Sequence, residues 1–109
     1  MIIMAKNYSR DIECSEVRER LERGEALNII DVREDEEWEA GNIPGAKHIP
    51  LGVLGQRLDE LDRQKEYIFV CRSGNRSGIA CEHLEAMGYN VINMTGGMLC
   101  WDGEVEYGK

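Results

Sequence analysis

The sequence predicts an α/β fold built on a mostly parallel sheet, because short clusters rich in β-branched residues alternate with helical patterns along the chain. Four clusters predict strands, at residues 27–30, 47–49, 67–70 and 90–94. Two of them are nearly continuous apolar runs, which are typical of strands covered on both faces. The length of 109 residues fits a single domain over residues 1–109.

Three segments between these strands carry apolar residues at helical spacing, and each is predicted to form a helix. The apolar positions are Val17 and Leu21 in the first, Leu54, Leu58 and Leu61 in the second, and Ala80, Cys81, Leu84 and Met87 in the third. Gly24 and Gly88 follow the first and third segments, as glycine often does at helix ends. These helices are expected to cover both faces of the sheet.

Five of the six residues at 34–39 are acidic, and they directly follow the predicted strand that ends near Val32. The start of a helix accommodates such a run, because its free N–H groups and its dipole favour negative charge. A cation site or a docking surface is the alternative for an acidic cluster. Charge runs of this kind are usually solvated helix faces, and we predict that this run is one.

The charge balance argues against two classes of partner. The chain has 13 basic and 21 acidic residues and a net charge of −8, so it lacks the positive surface that binds nucleic acid or an anionic membrane. The apolar run at residues 1–5 is too short for a signal peptide or a membrane span. We therefore expect a cytoplasmic protein without nucleic-acid or membrane partners.

The four cysteines, Cys14, Cys71, Cys81 and Cys100, have no C-x-x-C spacing and no secretory context. They could form two disulfides in three pairings, but free thiols are the expectation. No zinc site is expected, because no two candidate ligands have the usual close spacing. Cys81 is predicted to be a packed thiol, Cys14 has no assigned role, and a redox partnership of Cys100 with Cys71 is a minor alternative.

One of these cysteines is placed where ligands bind in α/β proteins. Cys71 follows the strand at 67–70, so it lies at the carboxyl end of a strand, where open α/β sheets bind ligands. The loop after it contains Ser, Gly, Asn and Arg residues, and Gly74 and Asn75 tolerate a positive φ. Successive backbone N–H groups of such a loop can converge on an anion.

Three influences favour the thiolate of Cys71: the converging N–H groups, the positive end of the following helix, and the guanidinium groups of Arg72 and Arg76. Residues 67–81 contain no acid. We expect the pKa of Cys71 to lie below its free value of about 8.5, in the range of about 3.5–7.5 typical of activated thiols. The alternative is an inert, buried cysteine beside two surface arginines.

Residues 71–77, Cys-Arg-Ser-Gly-Asn-Arg-Ser, resemble the active-site loop of the rhodanese family, sulfurtransferases whose cysteine becomes a persulfide. Further landmarks of the resemblance lie at residues 30–33, 37–38, 41–46 and 49–51 and at Gly96-Gly97 followed by Trp101. The resemblance covers residues 11–101, and Asn42 stands where the family often has histidine. It implies a rhodanese-like parallel sheet of about five strands flanked by helices on both faces.

The resemblance also implies an activity like that of thiosulfate sulfurtransferase. The Cys71 thiolate would attack a small anionic donor such as thiosulfate, release sulfite, and pass the sulfur to cyanide or a thiol. Arg72 and Arg76 would bind the donor, and the loop N–H groups would hold the persulfide. The predicted binding residues are Arg72, Ser73, Gly74, Asn75, Arg76 and Ser77. Sulfite is a stable leaving anion, so no side-chain acid, cofactor or metal is required.

Two other functions would use the same cysteine. Cysteine phosphatases and arsenate reductases also cradle a thiolate, but their motif is typically C-x5-R rather than the C-x4-R found here, and a phosphatase benefits from a general acid that this loop lacks. A non-catalytic persulfide carrier or regulatory module would exchange sulfur with a donor or acceptor protein. It needs the same Cys71, so the sequence leaves this alternative open.

Two pairs of residues outside the loop are assigned structural roles. Asp31 and Arg33 follow a buried strand towards the same sheet edge as Cys71. We predict that they form an ion pair that shapes the site rather than assists the chemistry. Gly96 and Gly97 are predicted to permit close approach of the backbone beside the loop.

Overall fold

The computed structural model describes residues 10–108 and is built around a five-stranded sheet. The strands are β1 (Arg10–Glu13), β2 (Ile29–Asp31), β3 (Lys47–His48), β4 (Glu66–Val70) and β5 (Asn90–Thr95). They lie in the order β1-β5-β4-β2-β3, and every neighbouring pair is parallel. The predicted fold class is confirmed. The apolar run at residues 1–5 lies outside the described residues.

Helices connect the strands. They are α1 (Cys14–Glu22), α2 (Asp35–Glu39), α3 (Leu51–Leu54), α4 (Asn75–Ala86) and α5 (Gly97–Cys100), with a 3-10 turn at Leu58–Glu60. Within residues 10–108, none of these helices has the length and apolar character needed to cross a membrane.

The central strand β4 is buried on both faces, which explains its continuous apolar sequence. Phe69 belongs to a cluster that includes Leu84 of α4, whereas its neighbour Ile68 belongs to a second cluster that includes Val17 of α1. Successive side chains of a strand point to opposite faces, so the two clusters lie on opposite sides of the sheet. Full burial of each such side chain contributes about 1.5–3 kcal/mol to folding.

The first strand was not among the four predicted from apolar clusters. In β1 only Ile12 is buried, and the other three residues are exposed. The strand lies at the edge of the sheet, where Ile12 pairs with Met94 of β5. A strand with one apolar residue in four carries too weak a periodicity to be recognised from sequence.

The second predicted helix is wrong as a continuous element. The chain forms only the short helix α3 and the 3-10 turn, and Leu61 is extended, with φ −108° and ψ 145°. Gly52 and Gly55 lie in this segment, and each glycine disfavours a helix by about 1 kcal/mol relative to alanine. The three leucines of the pattern nevertheless pack against the same core cluster.

The first and third predicted helices are confirmed as α1 and α4. Ala80, Cys81 and Leu84 of α4 are buried as the apolar spacing indicated. Met87 departs from the prediction, because it lies beyond the end of α4 and is 45% exposed. The chain turns away there at Gly88, whose φ is +93°.

Candidate active site

Cys71 lies directly after β4, in the middle of the sheet. Val70 ends the strand and α4 begins at Asn75, so the connecting loop is only four residues long. β4 lies between β5 and β2, and Cys71 exposes none of its surface. The structure therefore has this cysteine at the predicted edge of the sheet, at the bottom of the loop rather than on its rim.

The tight turn of the loop depends on Gly74. Its φ is +102°, a left-handed conformation that residues with a side chain rarely adopt. A Cβ atom at this position would also lie 3.2 Å from the backbone nitrogen of Gly96. The prediction that Gly74 supplies a positive φ is confirmed.

The loop rests on the start of α5. The backbone N–H of Met98 donates to the carbonyl oxygen of Cys71 at 2.8 Å, and the N–H of Leu99 donates to that of Arg72 at 3.0 Å. Gly97 has a φ of +55°, and a Cβ atom there would collide with both carbonyl groups. The predicted close approach of the glycine pair to the loop is therefore confirmed.

Hydrogen-bond donors surround the Sγ atom of Cys71. The backbone N–H of Gly74 donates at 3.0 Å and the Ser77 hydroxyl lies at 3.3 Å. Burial is the largest single influence and opposes ionisation of the thiol. The hydroxyl of Ser77 and the N–H groups of Ser77, Gly74 and Ser73 together outweigh it, so the pKa of Cys71 is lowered. The predicted direction is confirmed.

The Ser77 hydroxyl has a second neighbour. Its oxygen lies 2.5 Å from Oδ1 of Asn93, whose side-chain N–H donates to the carbonyl of Gly74 at 3.1 Å. A hydroxyl has one proton, so Ser77 donates to either Cys71 or Asn93 at a given moment. The N–H groups of the loop are thus the permanent donors to the sulfur. Asn93 was not predicted from the sequence, because an amide within a strand carries no recognisable motif.

The two loop arginines differ in their surroundings. Arg72 is exposed and has no carboxylate within ion-pair distance in the described part of the chain. Arg76 is paired with Glu37 through two hydrogen bonds of 2.8 and 2.9 Å. Ser73 and Asn75 are exposed on the loop. Arg72 therefore offers an unpaired positive charge beside Cys71, while the charge of Arg76 is already neutralised.

Glu37 is a residue that sequence analysis assigned to a solvated face. The other acidic residues of the run agree with that prediction, because all of them are exposed on α2 or at its N-cap. Glu37 instead reaches the loop, and the hydrogen bonds from Arg76 lower the pKa of its carboxyl group to about 2. A Glu at the third position of a helix, where capping-box side chains occur, was the one available signal.

Asp31 and Arg33 form the predicted structural ion pair. The Arg33 guanidinium donates twice to the Asp31 carboxylate, with Nη2 at 2.8 Å from Oδ2, and both side chains are buried. Arg33 also donates to the carbonyl oxygen of Gly41 at 2.7 Å. The pair fastens the end of β2 to the segment after α2, beside the cysteine loop.

A shallow groove borders the loop. It is lined by residues that include Arg33, Glu37, Arg72, Leu99, Trp101 and Tyr107. Leu99 and Tyr107 are 65% and 73% exposed, so the rim of the groove is largely apolar and open to solvent. Within residues 10–108, no three His, Cys, Asp or Glu side chains are gathered as metal ligands.

The expectation that all cysteines are free thiols is wrong for one pair. Cys14 and Cys100 form a disulfide across 86 residues of sequence, with their Cα atoms 6.3 Å apart. The pairing follows from the sheet: β1 runs into α1 and lies beside β5, which leads to α5. The missed strand β1 is therefore why sequence spacing did not reveal the disulfide. Cys71 and Cys81 are free.

A parallel α/β sheet defines the class of this molecule, together with a buried cysteine that follows its central strand and faces backbone N–H groups of the loop. The model of the rhodanese-like domain family matches residues 13–104. The chain belongs to this family, as the sequence resemblance indicated.

Individual relatives agree over nearly the whole chain. A Bacillus subtilis protein named "Putative sulfurtransferase YtwF" is 43% identical over 89% of this chain and 94% of its own length. Another from the same organism, named "Putative sulfur carrier protein YrkF", is 40% identical over 88% of this chain and 52% of its own. The crystal structure of a rhodanese-like domain protein from Staphylococcus aureus is 36% identical, with a TM-score of 0.86, covering 92% of this chain and 99% of that one.

Proposed function

We propose that this protein moves a sulfane sulfur atom from a donor to a thiophilic acceptor through a persulfide of Cys71. The observation that carries the proposal is the ring of hydrogen-bond donors around Sγ, with Gly74 N–H at 3.0 Å and the resulting lowered pKa. A thiolate is the nucleophilic form of cysteine. Family membership and the name of the Bacillus relative support the proposal.

The first step loads the sulfur. The Cys71 thiolate attacks the outer sulfur of a donor such as thiosulfate and forms a new S–S bond. The S–S bond of the donor breaks, and its electron pair leaves with sulfite. Three negative charges enter the step and three leave it, one on the persulfide and two on sulfite, so no proton has to move.

The second step unloads the sulfur. Cyanide or an acceptor thiolate attacks the outer sulfur of the persulfide, and the S–S electron pair returns to Sγ as the Cys71 thiolate. With cyanide the product is thiocyanate. The same N–H groups that hold the thiolate hold the persulfide anion, because preformed donors need no rearrangement between the two states.

The loop residues have different roles in this mechanism. Arg72 is unpaired and exposed, so it attracts the anionic donor to the loop. Arg76 is paired with Glu37, which compensates most of its positive charge, so it attracts the donor less than Arg72 does. The backbones of Ser73, Gly74 and Ser77 supply the hydrogen bonds to sulfur.

Cys71 exposes none of its surface, and we infer that a donor sulfur reaches it from the loop face. Ser73 and Asn75 are the exposed side chains that border this approach.

A persulfide carrier is the second candidate. The relative named as a sulfur carrier protein favours it, and it uses the same Cys71 and the same N–H groups. The two functions differ in turnover. A carrier exchanges sulfur with a donor or acceptor protein and turns over small donors poorly.

The experiment is intact-mass analysis after incubation with thiosulfate. We expect an added mass of one sulfur atom, about 32 Da, which cyanide removes with release of thiocyanate. Cys71→Ser should gain no mass, and Cys81→Ala should gain it as the wild type does. The sulfurtransferase proposal is wrong if neither thiosulfate nor a singly charged thiosulfonate adds sulfur to wild-type protein. A single loading without repeated turnover favours the carrier.

A further inference from the structure

We propose that Glu37 is a specificity-determining residue, which makes the site favour sulfur donors with one negative charge over doubly charged thiosulfate. The proposal rests on the sulfur transfer proposed above. Glu37 acts through the charge of Arg76, so it is a positioning residue rather than one that touches the reacting sulfur.

The contact that carries the proposal is the pair between Glu37 and Arg76. Both guanidinium Nη atoms donate to the carboxylate, at 2.8 and 2.9 Å, and the two side chains are 28% and 32% exposed. Two parallel hydrogen bonds between partly buried groups hold the charges in a fixed geometry. The second positive charge of the C-x4-R loop is therefore compensated before a donor arrives.

Glu37 cannot easily turn away from this position. Its Oε1 atom also accepts the backbone N–H of Glu34 at 2.9 Å, in a capping box that begins α2. A rotation that released Arg76 would leave that N–H group unpaired as well. The carboxylate is thus a built part of the loop environment.

The other charged residues of the groove do not replace the positive charge of Arg76 that Glu37 compensates. Arg33 is neutralised by its buried pair with Asp31, and Arg72 is the unpaired guanidinium among the described residues that line the groove. With the Cys71 thiolate present, the charges of Arg72, Arg76, Glu37 and Cys71 add to zero. Such a site offers little attraction to a second negative charge on the donor.

The rim of the groove agrees with this preference. Leu99 and Tyr107 expose most of their apolar surface beside Arg72. Thiosulfate has no apolar group to bury against them, whereas the organic part of a singly charged donor gains such contact. Charge and rim therefore favour the same chemical class of donor.

The test compares two donors of nearly equal shape. Methanethiosulfonate carries one charge and thiosulfate two, and both pass their outer sulfur to a thiolate, with sulfinate or sulfite as the leaving anion. We measure kcat/KM for each with cyanide as acceptor, in wild type and in Glu37→Gln. The glutamine keeps the size of the side chain and an oxygen that accepts the Glu34 N–H, but it removes the charge.

We expect Glu37→Gln to raise the ratio of kcat/KM for thiosulfate to that for methanethiosulfonate by about three- to tenfold, the range for one charge at a partly exposed site. This gain should shrink as ionic strength rises. Glu37→Asp keeps the charge and should keep the wild-type ratio. Glu60→Gln removes a carboxylate paired with Arg57 outside the loop and should leave the ratio unchanged.

A ratio in Glu37→Gln within about twofold of wild type, with both donors still loading Cys71, overturns the proposal. Wild-type protein offers an independent test, because a site of zero net charge predicts little loss of kcat/KM for thiosulfate as salt is added. A steep loss in wild type also contradicts it. If neither donor adds sulfur to Cys71 in wild type, the sulfur-transfer proposal itself is wrong, and this outcome is distinct from an unchanged ratio.

Discussion

Cys71 and Cys81 are two free thiols of the same molecule with equal burial and opposite chemistry. Neither exposes any surface. The pKa of Cys71 is lowered, whereas burial raises the pKa of Cys81 to about 12. Cys71 precedes α4 and Cys81 lies within that helix, so the same helix borders both residues.

The difference lies in the hydrogen-bond donors that face each sulfur. Both cysteines belong to the apolar cluster that includes Leu84. Only Cys71 also meets backbone N–H groups of the loop, among them that of Gly74 at 3.0 Å. Burial penalises both thiolates, and only the first is compensated. Burial alone therefore does not decide whether a cysteine is inert; the free backbone donors at a helix start do.

The largest expected effect comes from removing each sulfur in turn. Cys71→Ser should lower thiocyanate formation from thiosulfate and cyanide by about a thousandfold or more, because serine cannot form the persulfide. Cys81→Ala should keep kcat/KM within about twofold of wild type and cost about 1 kcal/mol of stability. Substantial activity in folded Cys71→Ser would show that the two thiols have been assigned wrongly.

The other two cysteines, Cys14 and Cys100, form a disulfide and are expected to affect stability rather than sulfur transfer. The bond between Cys14 and Cys100 closes a loop of 86 residues, and its reduction should lower the free energy of unfolding by up to about 4 kcal/mol, because the unfolded chain regains entropy. Urea unfolding with and without dithiothreitol measures this loss. Cys14→Ser should match the reduced protein. An unchanged unfolding midpoint on reduction would contradict a formed disulfide.

The two free thiols should change the free energy of unfolding in opposite directions as the pH rises. Cys81 loses its proton near pH 8.5 in the unfolded chain, whereas burial raises its pKa to about 12 in the folded protein. The contribution of Cys81 to the free energy of unfolding is therefore fully present below about pH 8.5. It is lost as the pH rises above that value, by up to about 1.4 kcal/mol per pH unit. The lowered pKa of Cys71 gives a contribution that is present above about 8.5 and is lost as the pH falls through the folded value.

Urea unfolding of wild type, Cys81→Ala and Cys71→Ser from about pH 7 to 10 measures these contributions. We expect Cys81→Ala to lose less stability than wild type as the pH rises and Cys71→Ser to lose more. If the free energy of unfolding depends on pH in the same way in all three proteins, the opposite pKa shifts of Cys71 and Cys81 are contradicted.

The smallest effect is expected for Ser77→Ala. Loss of the hydroxyl should raise the pKa of Cys71 and slow sulfur loading near neutral pH by a few-fold, about the worth of one hydrogen bond. The effect is small because this hydroxyl also donates to Asn93 and the backbone N–H donors to Sγ remain in the variant. Ser77→Thr keeps the hydroxyl and should load faster than Ser77→Ala. Loading as fast in Ser77→Ala as in wild type would remove the hydroxyl from the mechanism.

The sequence predicts the parts of this molecule whose causes are local. The strand before Cys71 is apolar throughout, the loop contains Gly74, and the helix after it has regular apolar spacing, so strand, turn and helix follow from neighbouring residues. The ion pair of Asp31 and Arg33 was predicted for the same reason, since only two positions separate them.

Features that depend on contacts distant in sequence were not predicted. Glu37 and Arg76 are 39 positions apart, and Ser77 and Asn93 are 16 apart on different elements. The disulfide depends on β1, a polar edge strand without an apolar pattern. The helix expected over Leu54 and Leu61 fails because Gly55, which lies between these leucines, weakens it more than apolar spacing strengthens it.

Titration of the Cys71 thiolate tests the role of the loop N–H groups most directly. Thiolates absorb in the ultraviolet, and this absorbance is measured against pH in wild type and in Cys71→Ser. The difference between the two curves reports the Cys71 thiolate, and no reagent has to reach the buried sulfur. We predict a midpoint below the value of about 8.5 for a free cysteine. A midpoint at or above that value would mean that the surrounding donors do not stabilise the thiolate.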